Sequence, residues 1–567
     1  MAFVLRVAAF HGVRSHSLFT NAAFSLCEIK IAGAVRYGIT RYPDSRRNGN
    51  ADGSNIPTKH VRRGVATRSS LASGSAEWNL SEVEATGDSP WSVAGDEGSR
   101  ESLSQSPLLQ AESILFIGKV WPEHGSTAAG VRTAQLLRVL GGTNGGGGGS
   151  GGERPGNQLH FMSPARRNVY SEELEAAGIA TYQCAPNRAA EFLAVLDAVQ
   201  PTIAVFDRFT TEEAFSFRLR ERCPDCLLVL DTQDLHFLRA NRQRVVSEGG
   251  SIVDALHHVP DTSSRELLRE LAAMHRCDLT LLCSEAELSL LTRCYAFPPH
   301  KLALASFFYD TDATYPSSTA SSPRHHFTTV GTFRHAPNVD AVSWLATHIW
   351  PAIRAQLPMA ECHVYGSYTT AAISSLNDPS SGFLIRGHAP SLHVLASYRV
   401  LLAPLRFGAG IKGKILDSWL YGTPVVTTPI GGEGMGGRGG GEGGKAEGEE
   451  VNGEAGGVGG WSGGQQWGGL CGAEDAESFV ADAVRLYCDQ QLWATCQSAG
   501  RAILHQQFGM PRNGPALLAS LAAAKSNMGD HRLRDYTAAI LWHDSNRATE
   551  YFSRWIELKE RGGRPPL

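Results

Sequence analysis

Two lysines follow a glycine turn in the string Gly408-Ala409-Gly410-Ile411-Lys412-Gly413-Lys414. Paired ammonium groups beside backbone N–H groups that no side chain shields are a means of holding phosphate. An apolar run, Val400 to Pro404, leads into the turn. A helical pattern leaves it, with Ile411, Ile415, Leu416, Trp419 and Leu420 at turn spacing and a stop at Gly422-Thr423-Pro424. A second buried strand, Val425 to Thr428, ends in another glycine loop. Lys412 and Lys414 therefore fall in the first helical turn, where the macrodipole opposes a cation by roughly 0.3–1 kcal/mol. An anion such as a diphosphate in the turn would account for that placement; two exposed lysines that bind nothing are the alternative. The GxGxxG string Gly408, Gly410, Gly413 is by itself a weak sign of a dinucleotide site. A P-loop is disfavoured, because Ile415 stands where a magnesium-binding Ser or Thr is required.

The whole segment from 404 to 434 resembles the donor-site signature of retaining glycosyltransferases of family 4. It matches at Pro404, Leu405, Arg406, Gly408, Gly410, Lys412, Lys414, Leu416, Gly422, Pro424 to Thr428, Gly431, Glu433 and Gly434. The resemblance implies an α/β protein of GT-B fold: two Rossmann-like, doubly wound parallel-sheet domains facing a cleft. It implies that Arg406, Lys412, Lys414 and the amides around Gly408, Gly410, Ile411 and Gly413 hold the donor diphosphate. Asp417 takes the place of a ribose-binding glutamate, shorter by one methylene, and Glu433 is a contact for sugar hydroxyls. The family's other glutamate corresponds to Ala409, a departure that leaves sugar recognition to other residues.

Upstream, the strand Ser113 to Gly118 runs into the loop 121–130, which ends at Gly130, a donor-site candidate by the same resemblance, and a helix to about Leu140. Further strands are expected at Gln158–Met162, Thr202–Phe206, Leu227–Asp231 and Leu279–Cys283, alternating with helices as in a parallel sheet. Asp207-Arg208 and the stretch Asp231-Thr-Gln-Asp-Leu-His236 occupy strand carboxyl ends, where such folds bind ligands. Asp207, Arg208 and Asp234 are candidate acceptor or cleft residues, although helix capping by Asp231, Thr232 or Asp234 would also explain the acids. Family members often carry a histidine that this register replaces by Gln233; His236, three residues on, is the candidate for its role. A second domain opens with Phe327 to Gly331, and Gly331 is a further donor-site candidate. Its next strands are Glu361–Tyr365 and Phe383–Arg386, and 473–508 read as its closing helices. The aromatic-rich stretch 533–560 is expected to cross back and bury its sticky face on the first domain.

The expected organisation is 112–325 for the first domain, 326–515 for the nucleotide-sugar domain and 516–567 for the helical extension. Two glycine-rich insertions, 141–156 and 436–469, cannot bury enough apolar area to offset their ordering entropy. Residues 1–75 hold 11 Arg/Lys against 3 Asp/Glu, a composition read as an organellar (mitochondrial or plastid) transit peptide or a disordered extension; 76–111 is a linker. With 52 basic and 56 acidic residues, nothing argues for nucleic-acid binding, and no run reaches the roughly 18 apolar residues of a membrane span. Cys223-Pro-Asp-Cys226 is a lone CxxC, so the bland reading of reduced thiols is preferred.

The resemblance implies transfer of a sugar from a nucleotide-diphosphate donor to an unknown acceptor hydroxyl (lipid, glycan, protein or small molecule), with retention. His236, Lys412 and Lys414 are the catalytic candidates. No DxD motif stands where a metal would be needed, so no metal or other cofactor is expected. A catalytically degenerate sugar-nucleotide or glycan binder and a nucleotide-sugar epimerase of the same fold remain alternatives.

Overall fold

The computed structural model describes residues 109, 111–142, 156–311, 324–389, 391–436 and 467–560. The transit-peptide and linker readings, and most of both glycine-rich insertions, lie outside them.

Two parallel sheets organise the chain. The first contains β1 (Ser113–Ile117), β2 (Gln158–Ser163), β3 (Ala180–Gln183), β4 (Ile203–Asp207), β5 (Leu227–Asp231), β6 (Leu279–Leu282) and β7 (Leu302–Leu304), in the order β3-β2-β1-β4-β5-β6-β7. The second contains β8 (His325–Val330), β9 (Cys362–Tyr365), β10 (Phe383–Gly387), β11 (Tyr398–Ala403), β12 (Val425–Thr427) and β13 (Gly469–Leu470), in the order β10-β9-β8-β11-β12-β13. Each order reverses once, between β1 and β4 and between β8 and β11. In open α/β sheets ligands bind at the strand carboxyl ends beside such a reversal.

Both faces of the first sheet are covered, so its strands are apolar throughout. Leu115, Ile117, Ala204, Phe206, Leu228 and Leu230 feed one core. The alternate residues Ile114, Phe116, Ile203, Val205, Leu227 and Val229 feed the other. The polar, partly exposed β3 and the three-residue β7 carry too little of this pattern to be expected from sequence.

The end of the second glycine-rich insertion is structural, contrary to expectation. Trp467 is buried edge-on against Trp419, 5.1 Å between centroids, and Gly469 pairs with Val425 in the sheet. A Cβ at Gly468 would lie 2.2 Å from the Trp419 indole nitrogen, so glycine here serves close packing.

After the closing helices Ala476–Cys488 and Gln490–Phe508, the chain returns to the first domain. Leu517 and Leu521, on the helix Met510–Arg534, are buried in the second of the first sheet's cores, where the helix packs on β5, β7 and the helix Ala128–Gly141. Arg532 grips Asp278 with two bonds of 2.7 Å, and Trp542 donates to the Arg276 carbonyl at 3.0 Å. Glu557 pairs with Arg218 on the helix Phe209–Arg222. The expected burial of the aromatic face is incomplete: Tyr551 and Trp555 remain 65% and 54% exposed, because the helix Asn546–Glu560 docks through Ser553 and Glu557 instead. Among the described residues no helix is long and apolar enough to cross a membrane.

Candidate active site

On the first domain, the site begins at the carboxyl end of β1. Thr127 caps the helix Ala128–Gly141 by accepting from the Gly130 N–H at 3.0 Å. That amide is therefore already used. Gly130 is small because a Cβ there would lie 2.4 Å from the backbone of Glu123. At the end of β4, Asp207 accepts from the Lys119 amide (3.3 Å) and from Arg208 (3.0 Å).

The β5 end departs most from expectation. None of Asp231, Thr232 and Asp234 caps the following helix, His236–Ser247. Asp231 is fully buried and takes two bonds from Arg132, at 2.6 and 2.8 Å. Thr232 donates to the Leu281 carbonyl at 3.0 Å, and Asp234 pairs with Arg239. The helix amides are satisfied by two buried carboxylates from elsewhere. Glu287 accepts from Leu235 at 2.9 Å, and Glu270 accepts from His236 at 3.2 Å and Phe237 at 2.9 Å. These bonds satisfy amides that the start of a helix leaves without an intrahelical partner.

His236 thus stands on a helix N-terminus held from below. Its Nε2 lies 3.3 Å from Asp234, and its ring packs edge-on against Phe209. Burial pushes its pKa down to about 3 against the opposing pull of Asp234, so the imidazole is neutral at physiological pH. Gln233 donates to Thr133 and to Asp231, both at 3.0 Å, and has a positive φ of 64°.

On the second domain, the turn after β11 carries the two lysines. The helix begins at Gly413, so Lys412 precedes it as the N-cap residue and only Lys414 lies in its first turn. Lys412 is buried and donates to the Gly410 carbonyl at 2.5 Å. Lys414 donates to the neutral amide oxygen of Asn338 at 2.7 Å. Burial, followed by the charge of Lys412, pushes Lys414 down to about 7. Gly331, at the end of β8, leaves room for this lysine: a Cβ there would lie 3.0 Å from its Nζ. The Gly331 amide itself bonds to the Tyr365 carbonyl. Asp417 accepts from the Tyr309 hydroxyl at 2.7 Å, and burial raises its pKa to about 6. Arg406 turns to Asp340, which it grips through Nε at 2.9 Å and a second nitrogen, with the Trp344 ring 5.7 Å away.

The two halves meet closely. A Cβ on Gly413 would stand 2.9 Å from that of Ala128, so the helices that follow β1 and β11 approach through the glycine. Gly410, with φ of +66°, leaves 2.8 Å between its missing Cβ and that of Asp234. Ile411, beside it, is buried. Arg242 donates to both oxygens of Glu433, at 2.6 and 2.8 Å, and to the Gly408 carbonyl at 2.9 Å. Glu123 meets Tyr368 at 3.0 Å and Arg334 at 3.8 Å. His335 is pushed down to about 4 by burial and by Arg239, with Lys414 and Arg208 adding. That histidine therefore shares one electrostatic neighbourhood with groups of both domains.

The structure brings Lys412, Lys414, Gly410, Gly413, Glu433, Asp234 and His236 together at the two sheet reversals, with Asp207 and Arg208 at the β4 rim. Arg406 has its charge matched by Asp340. Sequence reasoning did not assign Lys119, His335, Arg242 or Arg239 to the site. Arg239 and Arg242 carried a usable signal, a three-residue spacing that puts both on one helix face directly after a strand end.

The architecture is the GT-B fold, two Rossmann-like domains facing across a cleft. Residues 324–442 match the family model for glycosyl transferases group 1, a stretch that runs from β8 past the lysine turn. No curated protein matches the chain. Solved structures similar to it include Anabaena HepE in complex with UDP and glucose (12% identity, TM-score 0.49, 73% of this chain and 100% of that one). Sucrose-phosphate synthase from Thermosynechococcus elongatus is 13% identical, with a TM-score of 0.49 over 75% of this chain and 99% of its own. A glycosyltransferase from Rickettsia africae is 11% identical, with a TM-score of 0.47 over 73% and 98%.

Proposed function

We propose that the chain transfers a glycosyl group from a nucleotide-diphosphate sugar to an acceptor hydroxyl, with retention of configuration and without a metal. The observation that carries this reading is the pair Lys412 and Lys414 at the β11 reversal, inside the stretch that matches the glycosyl transferase model. Lys414 has a neutral amide for a partner and a depressed pKa, so its environment lacks an anion. A diphosphate would supply that anion and restore the full charge of the lysine.

In such a transfer the bond from the anomeric carbon to the diphosphate oxygen breaks, and negative charge grows on the departing group. Fixed cations aimed at that charge stabilise the transition state more than the ground state. Lys412 and Lys414 take this role, while Gly410 and Gly413, whose missing Cβ atoms make room for Asp234 and Ala128, keep the two domains close around the turn. Asp417 is the group for the ribose. His236, neutral and fixed by Glu270 beneath it, positions the sugar or acceptor.

Calorimetric titration of the protein with UDP, GDP, ADP and CMP in EDTA tests the donor site. Saturable binding of one nucleotide supports the reading and names the base; no binding to a folded sample rejects it. A degenerate binder is the second reading, favoured by specific observations: Ala409 is buried, Gln233 is committed to Thr133 and Asp231, and Glu433 is held by Arg242. Nucleotide binding without hydrolysis or transfer of any matching nucleotide sugar would select it.

A further inference from the structure

Two contacts that join the halves of the cleft differ sharply in burial. Arg242 holds both oxygens of Glu433, and its side chain is 3% exposed. The other contact stands on the far side of both sheet reversals, between the loop after β1 and the loops after β8 and β9. There the Tyr368 hydroxyl donates to Glu123 Oε2 at 3.0 Å. The Arg334 guanidinium lies 3.4 Å from the centre of the Tyr368 ring and 3.8 Å from Glu123 Oε1. Arg334 is 64% exposed, so this contact is made in water. Exposed pairs hold weakly, whereas parting a buried pair strands a charge.

Both sides of the weak contact are shaped for it. The Glu123 carbonyl accepts from the Ser126 and Thr127 amides at 3.1 and 3.0 Å, and Ser126 donates to its carboxylate at 3.2 Å. Tyr368 has a φ of 59°, a left-handed conformation that is costly for a bulky side chain and persists only where surrounding contacts enforce it. The partners also flank Lys414. The loop of Glu123 leads to Ala128, which packs against Gly413, and Gly331, three residues before Arg334, lies against the Lys414 ammonium. We propose that Tyr368 and Arg334 form a latch on Glu123. The cleft opens at this contact to admit molecules to Lys414, while Arg242 and Glu433 stay paired as the fixed side. Such a latch serves any occupant of the cleft, so its test does not depend on the nucleotide-sugar reading.

The two lysines report on the two sides. Lys414 stands beside the latch, whereas Lys412 is buried within the field of Glu433 and Arg242. The full chain would be pulsed with limiting acetic anhydride at a pH just above 7, where Lys414, pushed down to about 7, is largely without its proton. Mass spectrometry reads the rate at each lysine, with the exposed Lys559 as internal reference. Tyr368→Phe removes the hydroxyl but keeps every charge and the ring beneath Arg334. Lys414 is expected to be acetylated several-fold faster in this variant, with Lys412 and Lys559 unchanged. Tyr368→Gly, which removes the ring and the backbone strain together, should speed Lys414 at least as much without lowering the melting temperature. Equal Lys414 rates in the parent chain and both variants would overturn the latch. Acceleration of Lys412 in step with Lys414 would overturn it as well, because the cleft would then part as a whole and not from one side.

Discussion

Arg242 in the first domain holds both carboxylate oxygens of Glu433 in the second, and one of the same nitrogens also reaches the Gly408 carbonyl. One guanidinium thereby ties the helix behind His236 to the start of the donor turn and to the glycine loop after β12. Removing one partner strands the other charge in a site where Arg242 is nearly inaccessible. Glu433→Ala is expected to cost about 3 kcal/mol of stability, with a smaller loss in the double variant that adds Arg242→Met. Urea denaturation of the four proteins measures the coupling, and strictly additive losses would show that the pair does not act as a unit.

Nucleotide affinity should depend on the lysines individually. Lys412→Ala or Lys414→Ala is expected to weaken diphosphate binding by about 1.5–3 kcal/mol. Unchanged affinity in the double variant would remove the phosphate assignment.

Lys414 also sets a pH dependence. Its ammonium form is present below its folded pKa of about 7, so diphosphate should bind more tightly at pH 6 than at pH 9. Lys414→Arg, which keeps its proton, should flatten that profile. For folding the sign is opposite. The unfolded lysine keeps its proton up to about 10.5, so stability from this group rises with pH between about 7 and 10.5.

Glu270 gives a second pH signature. Burial raises its carboxyl to about 8 in the folded chain, against 4.5 when unfolded. The folded state therefore binds the extra proton across that window. Its contribution to stability is complete below pH 4.5 and is lost as pH rises through about 8. Glu270→Gln, which cannot titrate, should remove that loss between pH 6 and 9 in a series of thermal melts.

Gly410→Ala tests the close approach of the domains. The new Cβ would lie 2.8 Å from that of Asp234, at a φ of +66° that alanine avoids. A loss of about 1–3 kcal/mol is expected, with a larger radius of gyration by small-angle scattering. Gly472→Ala, where nothing lies within 4 Å, should leave both measurements unchanged.

What was legible in the sequence was local. The lysine turn, its flanking strands and the helix that stops at Gly422 are written in adjacent residues, and the alternation of strands with helices announced the fold. What was hidden was contact across distance. Arg242 and Glu433 are 191 residues apart, and no spacing rule joins them. The support beneath His236 comes from Glu270, 34 positions later, because the helix has no capping side chain of its own. Composition also misled. Trp467 and Gly469 sit at the end of a glycine-rich run, yet belong to the packed core and to the sheet. The aromatic residues of the final helix read as a buried face, while Tyr551 and Trp555 stand in solvent.

The return of Leu517 and Leu521 to the core beneath β5 and β7 has a consequence for how the protein is made. The seven strands of the first sheet are all synthesised by Leu304, but the side chains that close one face of that sheet emerge only after the entire second domain. The domain that is translated first is completed last. A ribosome stalled in the glycine-rich stretch after Met435, or a chain cut there, would leave β5 and β7 with an open apolar flank for chaperones or other chains to find.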